Sequence, residues 1–197
     1  MAHFKLSKTK IIVSLAIILV AAIAISGWSF YGYYVSSKKE ITALCKEYLR
    51  TTETGYVLPQ KYQNKSVKVP DTVIAKYKTD IKNKLTSLCS TKNPELLKRE
   101  VSVLNKLLDD QGKKEWIFYS EQFKIIDSAT TLGNKSDDYY ADSFTAKITI
   151  YTWFKDKTWR KGDVEAASSA SGNWKYEFGL TRENNRWKIA SCEPDMY

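Results

Sequence analysis

Residues 143–155 read SFTAKITIYTWFK, and their alternation decides the fold. Phe144, Ala146, Ile148, Ile150, Thr152 and Phe154 share one side, and Thr145, Lys147, Thr149, Tyr151 and Trp153 share the other. A period of two puts successive side chains on opposite faces of a strand, so this stretch reads as a strand with one complete apolar face. Residues 173–182 repeat the pattern with Trp174, Tyr176, Phe178 and Leu180. Asn184-Asn185 makes a turn, and residues 186–192 return with Trp187 and Ile189 inward. Residues 115–127, rich in aromatic and β-branched side chains, complete a set of four strands.

Upstream of these strands the period is 3.6. Ser37-Lys38-Lys39-Glu40 has the form of a capping box, followed by Ile41, Leu44, Cys45, Tyr48 and Leu49 on one helical face. Residues 51–69 contain Gly55, Pro59 and many polar side chains and read as a loop. Val73, Ile74, Tyr77, Ile81, Leu85 and Leu88 mark a second helix over 71–89. Asn93-Pro94-Glu95 opens a third: a capping side chain, a proline at the first helical position and an acid at the positive dipole end. Leu96, Leu97, Val101, Leu104, Leu107 and Leu108 form its stripe, and Gly112 suits its C-terminal cap. Helices first and strands after predict an α+β domain: about three helices on one face of a four-stranded antiparallel sheet. The expected core sets Phe144, Ile148, Ile150, Trp174, Phe178, Trp187 and Ile189 against Leu85, Leu88, Leu104 and Leu108.

Ahead of that domain, no charged residue and no histidine occurs between Ile11 and Ser37. Residues 11–30 are mostly Ile, Val, Leu and Ala, and 20 residues at about 1.5 Å each cover the roughly 30 Å hydrocarbon core. Trp28, Phe30, Tyr31, Tyr33 and Tyr34 follow as an interfacial belt. The expected organisation is a cytoplasmic tail over 1–10, a transmembrane anchor over 11–34 in contact with membrane lipid, and an extracytoplasmic domain over 35–197. Lys5, Lys8 and Lys10 precede the span, so the positive-inside rule favours a cytoplasmic N-terminus. A cleaved signal peptide, with Ala22-Ile23-Ala24 as its site, is the rival reading.

The net charge of +9 is uneven. Residues 35–112 hold 15 basic and 9 acidic side chains, whereas 113–197 balance. By charge alone such a surface suits anionic headgroups, wall polymers or nucleic acid, or is a solvated lysine-rich exterior; of these, no nucleic-acid partner is expected. Three cysteines make no disulfide framework: a Cys45–Cys89 bridge and buried free thiols both fit.

The single histidine, His3, lies ahead of the span, which removes Ser-His-Asp, Cys-His and histidine-rich metal sites from the domain. Walker, G-x-G-x-x-G, C-x-x-C and H-E-x-x-H motifs are absent. Asp109-Asp110 and Asp137-Asp138 sit at predicted element ends, where solvated turns explain them. No enzyme activity, cofactor or metal is expected. The remaining candidate is an aromatic surface for a protein partner or a second copy of the chain: Tyr151 and Trp153, with Tyr139, Tyr140, Trp159 and Arg160 nearby. The alternative is that other parts of the chain bury these rings. Residues 156–172, rich in Ser, Ala and Gly, read as a loop with little apolar bulk to cover them.

The order of anchor, helices and antiparallel meander, closing on Asn185-Arg186-Trp187-Lys188-Ile189, resembles the nuclear transport factor two-like superfamily. Within it, a short tail, one span and an outer domain look like the VirB-type inner-membrane assembly factors of type IV secretion and conjugation. That family's Asn-Pro-x-Gly motif is not matched: Asn93-Pro94-Glu95-Leu96 departs at the glycine. The resemblance implies a cone-shaped fold and a role in assembly by protein binding. The cone often encloses a pocket, which implies the alternative of a small-ligand or wall-polymer binding domain.

Overall fold

The computed structural model describes residues 8–133, 145–163 and 168–196, with backbone alone for several of them, including 8–18. Its elements are α1 (Lys8–Glu53), α2 (Asp71–Leu88), α3 (Pro94–Gly112), β1 (Trp116–Gly133), β2 (Thr145–Arg160), β3 (Ser168–Glu183) and β4 (Arg186–Met196), with a short 3-10 turn at Gln60–Tyr62. The strands form one antiparallel meander in the order β1-β2-β3-β4. The α+β class is therefore as expected. The chain divides into two units, 1–39 and 40–197.

In the first unit the helix begins at Lys8 and runs on without a break. Ser37 lies inside α1 and is no N-cap. No proline interrupts the segment, so an ordinary intrahelical ladder replaces the expected capping box. Leu19, Val20, Ile23 and Trp28 are exposed, Trp28 by 83%. Among the described residues no helix is long and apolar enough to cross a membrane; the side chains of 8–18 lie outside them.

The second unit holds the core. Ile41, Cys45, Tyr48 and Leu49 of α1 join Ile74, Ile81, Leu85 and Leu88 of α2 and Leu96, Leu104 and Leu108 of α3. They meet the face of the sheet that carries Ala146, Ile148, Ile150, Tyr176, Phe178, Leu180, Trp187 and Ile189. Cross-strand pairing sets Ile148 beside Phe178 and Ile150 beside Tyr176, so one register buries the whole face. Tyr48 meets Phe178 edge to face at 5.6 Å. Trp174 is only half-buried, and Phe144 lies outside the described residues. All three cysteines are buried free thiols.

Four local expectations need correction. The helix α1 continues to Glu53, and its last turn accommodates Thr51 and Thr52 by turning their hydroxyls back onto the carbonyls of Glu47 and Tyr48 (2.8 and 3.2 Å). A Cβ on Gly55 would fall 2.4 Å from the Thr51 carbonyl oxygen, so glycine permits the exit that follows. Asn93 makes no cap bond; its amide donates to the Ala190 carbonyl instead (2.8 Å). Gly112 is the last residue of α3, tight against Ile74, and Lys114 (φ 59°) takes the left-handed turn.

The fourth correction is the largest. Much of the segment expected as a loop over 156–172 is strand: β2 runs on to Arg160 and β3 starts at Ser168, while 164–167 lie outside the described residues. Asp156 pairs with Ala170 and Lys155 with Ser171. Gly172 lies opposite Phe154, whose ring sits 2.9 Å from where a Cβ would be. Phe154 covers the backbone there, so β3 needs no bulk of its own.

The α2–α3 connection reaches the last strand. Cys89 forms a parallel bridge with Ile189, and the Ser90 amide donates to the Ile189 carbonyl (2.7 Å). Arg99 donates to the Cys192 carbonyl (3.2 Å), and Lys188 to that of Ser87. At the opposite side of the sheet, β1 breaks register twice, between Phe118 and Ser120 and between Ile125 and Asp127.

Candidate functional site

The six residues singled out from sequence do not form one patch. Tyr139 and Tyr140 lie outside the described residues. Tyr151 and Trp153 are half-buried on the face of β2 turned away from the core, with the Lys124 ammonium 5.5 Å from the Trp153 ring. Trp159 is six residues further along β2, about 20 Å away at strand spacing. It is buried, paired with buried Ile117, and the Lys65 ammonium sits 4.1 Å over its ring. Arg160 is exposed and lies 5.6 Å from the Trp116 ring. Of the six, Tyr151 and Trp153 share the outer face with exposed Ile126 at the neighbouring bulge.

A second site lies on the core side. An open cleft of about 500 Å³ is lined by Tyr48, Thr52, Glu53, Tyr56, Arg99, Glu100, Phe154, Asp156, Trp174, Tyr176, Cys192 and Pro194. Three parts of the fold build it. The last turns of α1 supply Tyr48, Thr52 and Glu53, the first half of α3 supplies Arg99 and Glu100, and the inner face of β2–β4 supplies the aromatic wall. Phe154 and Trp174 stand 6.1 Å apart and Trp174 and Tyr176 6.4 Å apart, both pairs tilted. These inward positions continue the apolar face of the sheet past the point where helices cover it.

The polar groups are unequal. Arg99 donates twice to Glu100 (2.8 and 3.0 Å) as well as to the Cys192 carbonyl, so its Nε and Nη2 are engaged. Glu53 forms no ion pair among the described residues. Burial raises its pKa; hydrogen bonds from Tyr176 and Thr52 partly offset this, and the nearby Glu100 adds to the rise. Burial also pushes the Tyr48 hydroxyl and the Cys192 thiol well above their ordinary values, and the two are hydrogen-bonded. Asp156 accepts from the Ala170 amide (2.9 Å). Among the described residues no cluster of His, Cys, Asp or Glu could hold a metal ion.

Sequence reasoning missed this cleft. A signal was present at Glu53: an acid on the last residue of a helix opposes the dipole, which favours cations there. A local rule broken without compensation is a pointer to function.

Neither a family model nor a curated protein matches the chain. Among solved structures, the intermembrane space region of chloroplast protein ARC6 is similar over 80% of this chain and 97% of that one, at 8% identity and a TM-score of 0.42. So distant a likeness carries no argument about role.

Proposed function

We propose that this chain is a membrane-anchored, extracytoplasmic binding protein, and that its domain takes a ligand in the cleft between α1, α3 and the inner face of the sheet. The observation that carries the reading is Glu53, a partly buried carboxylate with no ion pair among the described residues, beside a wall of tilted rings. Keeping such a group costs stability, and ligand sites are where such costs persist. The cleft volume lies within the ordinary range for small-molecule sites, roughly 300–1,000 Å³, with a few polar groups converging on aromatic walls. The anchor is supported by the charge-free residues 11–30 and by the exposure of Leu19, Val20, Ile23 and Trp28, which lipid would cover. In this arrangement the chain is single-pass, with the N-terminus cytoplasmic.

The test is a thermal-shift screen of the full chain in detergent against neutral, anionic and cationic small molecules and wall fragments. Ligands of the cleft raise the melting temperature of the wild type and lose that effect in Trp174→Leu. A screen in which no ligand of any charge depends on Trp174 rejects the reading.

A second reading rests on Tyr151, Trp153 and exposed Ile126. These give the outer face of the sheet the composition of a protein contact, as an assembly factor of secretion or conjugation would need. Crosslinking in membranes that is unchanged by a Tyr151→Ala, Trp153→Ala double variant would reject it.

A further inference from the structure

We propose that the cleft ligand is an organic cation: a protonated amine carried on an apolar or aromatic stem. The inference rests on the cleft being the binding site and adds what it selects.

The charge of the lining favours a cation. The cleft lining carries Glu53, Glu100 and Asp156 against Arg99 alone. An adjoining cleft of about 330 Å³ shares Arg99 and Cys192 and adds Glu95 and Glu193. Lys98 partly answers Glu95, at 2.7 Å, from an exposed position. This acidic stretch sits in a chain of net charge +9, and its Glu53, Glu95 and Glu100 come from the helical half, where basic residues outnumber acidic ones. Bulk electrostatics of this chain attract anions, so a locally inverted field selects against them at this place. The single guanidinium lining both clefts is already engaged by Glu100 and a backbone carbonyl.

The burial of Glu53 favours one as well. Glu53 is held where its charged form is disfavoured, with Tyr176 as a hydrogen-bond donor and the Thr52 hydroxyl 3.4 Å away. A bound ammonium would complete that pairing and relieve the cost, whereas a neutral or anionic ligand would leave it or raise it. The aromatic wall suits the same ligand. The tilted rings of Phe154, Trp174 and Tyr176 present π faces and edges to the same space, and a cation near an aromatic face is attracted by the ring quadrupole. Carboxylates and rings together fit a charged head on an apolar stem, and fit neither part as well alone.

The experiment uses three probes with one stem: phenethylamine, 2-phenylethanol and phenylacetate. Calorimetric titration of the full chain in detergent is expected to show saturable binding of the amine, at least tenfold weaker binding of the alcohol, and none of the acid. Glu53→Gln is expected to weaken the amine at least tenfold while raising the melting temperature of the unliganded chain, so lost binding cannot be lost folding. Equal binding of amine and alcohol overturns the inference, as does binding of the acid. If either binds and depends on Trp174, the cleft still binds ligands and only the cation selectivity falls. Absence of binding by all three probes also overturns the inference, and the broader screen then decides the cleft itself.

Discussion

Ile148→Ala tests the register on which the whole core depends. Ile148 lies on the second of the four strands, paired with Thr130 on one side and Phe178 on the other, and is 1% exposed. The substitution removes three carbons, worth about 2.4 kcal/mol at roughly 0.8 kcal/mol each. A residual void of about 60 Å³ at about 24 cal/mol per Å³ adds about 1.4 kcal/mol. The expected loss is therefore near 4 kcal/mol, and with an m-value of about 2 kcal/mol/M the urea midpoint falls by about 2 M. The neighbouring Lys147 is exposed on the other face, so Lys147→Ala should stay within about 0.5 kcal/mol of the parent. Both are read by tryptophan fluorescence on the full chain in detergent during urea titration. Equal shifts, or the larger one at Lys147, would mean the strand is displaced by one residue and every inward assignment on it is inverted.

Three further outcomes follow from single groups. The raised pKa of Glu53 means the native state binds a proton more readily than the unfolded chain; stability contributed by the protonated form is lost as pH rises from the ordinary carboxylate range through the raised value, and Glu53→Gln should flatten that slope and be the more stable form at neutral pH. An unchanged pH profile in that variant counts against the burial of the carboxylate. Burial raises Cys89 to about 11 and pushes Cys45 and Cys192 upward as well, so alkylation at pH 8 should be slow in the native chain and fast in urea; equal rates would show the thiols are not where the fold puts them. Asn184 and Asn185 both hold positive φ, 49° and 63°, so Asn184→Val should cost on the order of 1–2 kcal/mol while Asn185→Gly is nearly neutral, measured by the same midpoints.

Periodic segments were legible and their margins were not. The alternation of Ile148, Ile150, Trp174, Phe178, Trp187 and Ile189 specified both faces of the sheet, and the leucines of the helices specified their stripes. The strand ends at 156–160 and 168–172 were hidden because backbone pairing needs no side-chain signature, and because Phe154 lies over Gly172. Asn93 fits a cap by residue type, yet a carbonyl 97 residues away takes its amide. Trp159 read as surface because Ile117, its cross-strand partner, and Lys65, which lies over it, are remote in sequence. The cleft was illegible for the same reason: Glu53, Glu100 and Asp156 come from three elements and converge only after folding.

The covering of β4 by the α2–α3 connection has a consequence for how copies of this chain meet. An open antiparallel sheet presents two rows of unpaired amides and carbonyls to which a foreign strand can add. Here Ser90, Asn93 and Arg99 occupy the carbonyls of Ile189, Ala190 and Cys192, and the bulges of β1 interrupt the other row. Lateral growth into a continuous intermolecular sheet, the route to fibrils, is blunted at both margins. Any association between copies of this chain would therefore have to use side-chain surfaces, which sequence can tune, and not backbone templating, which it cannot.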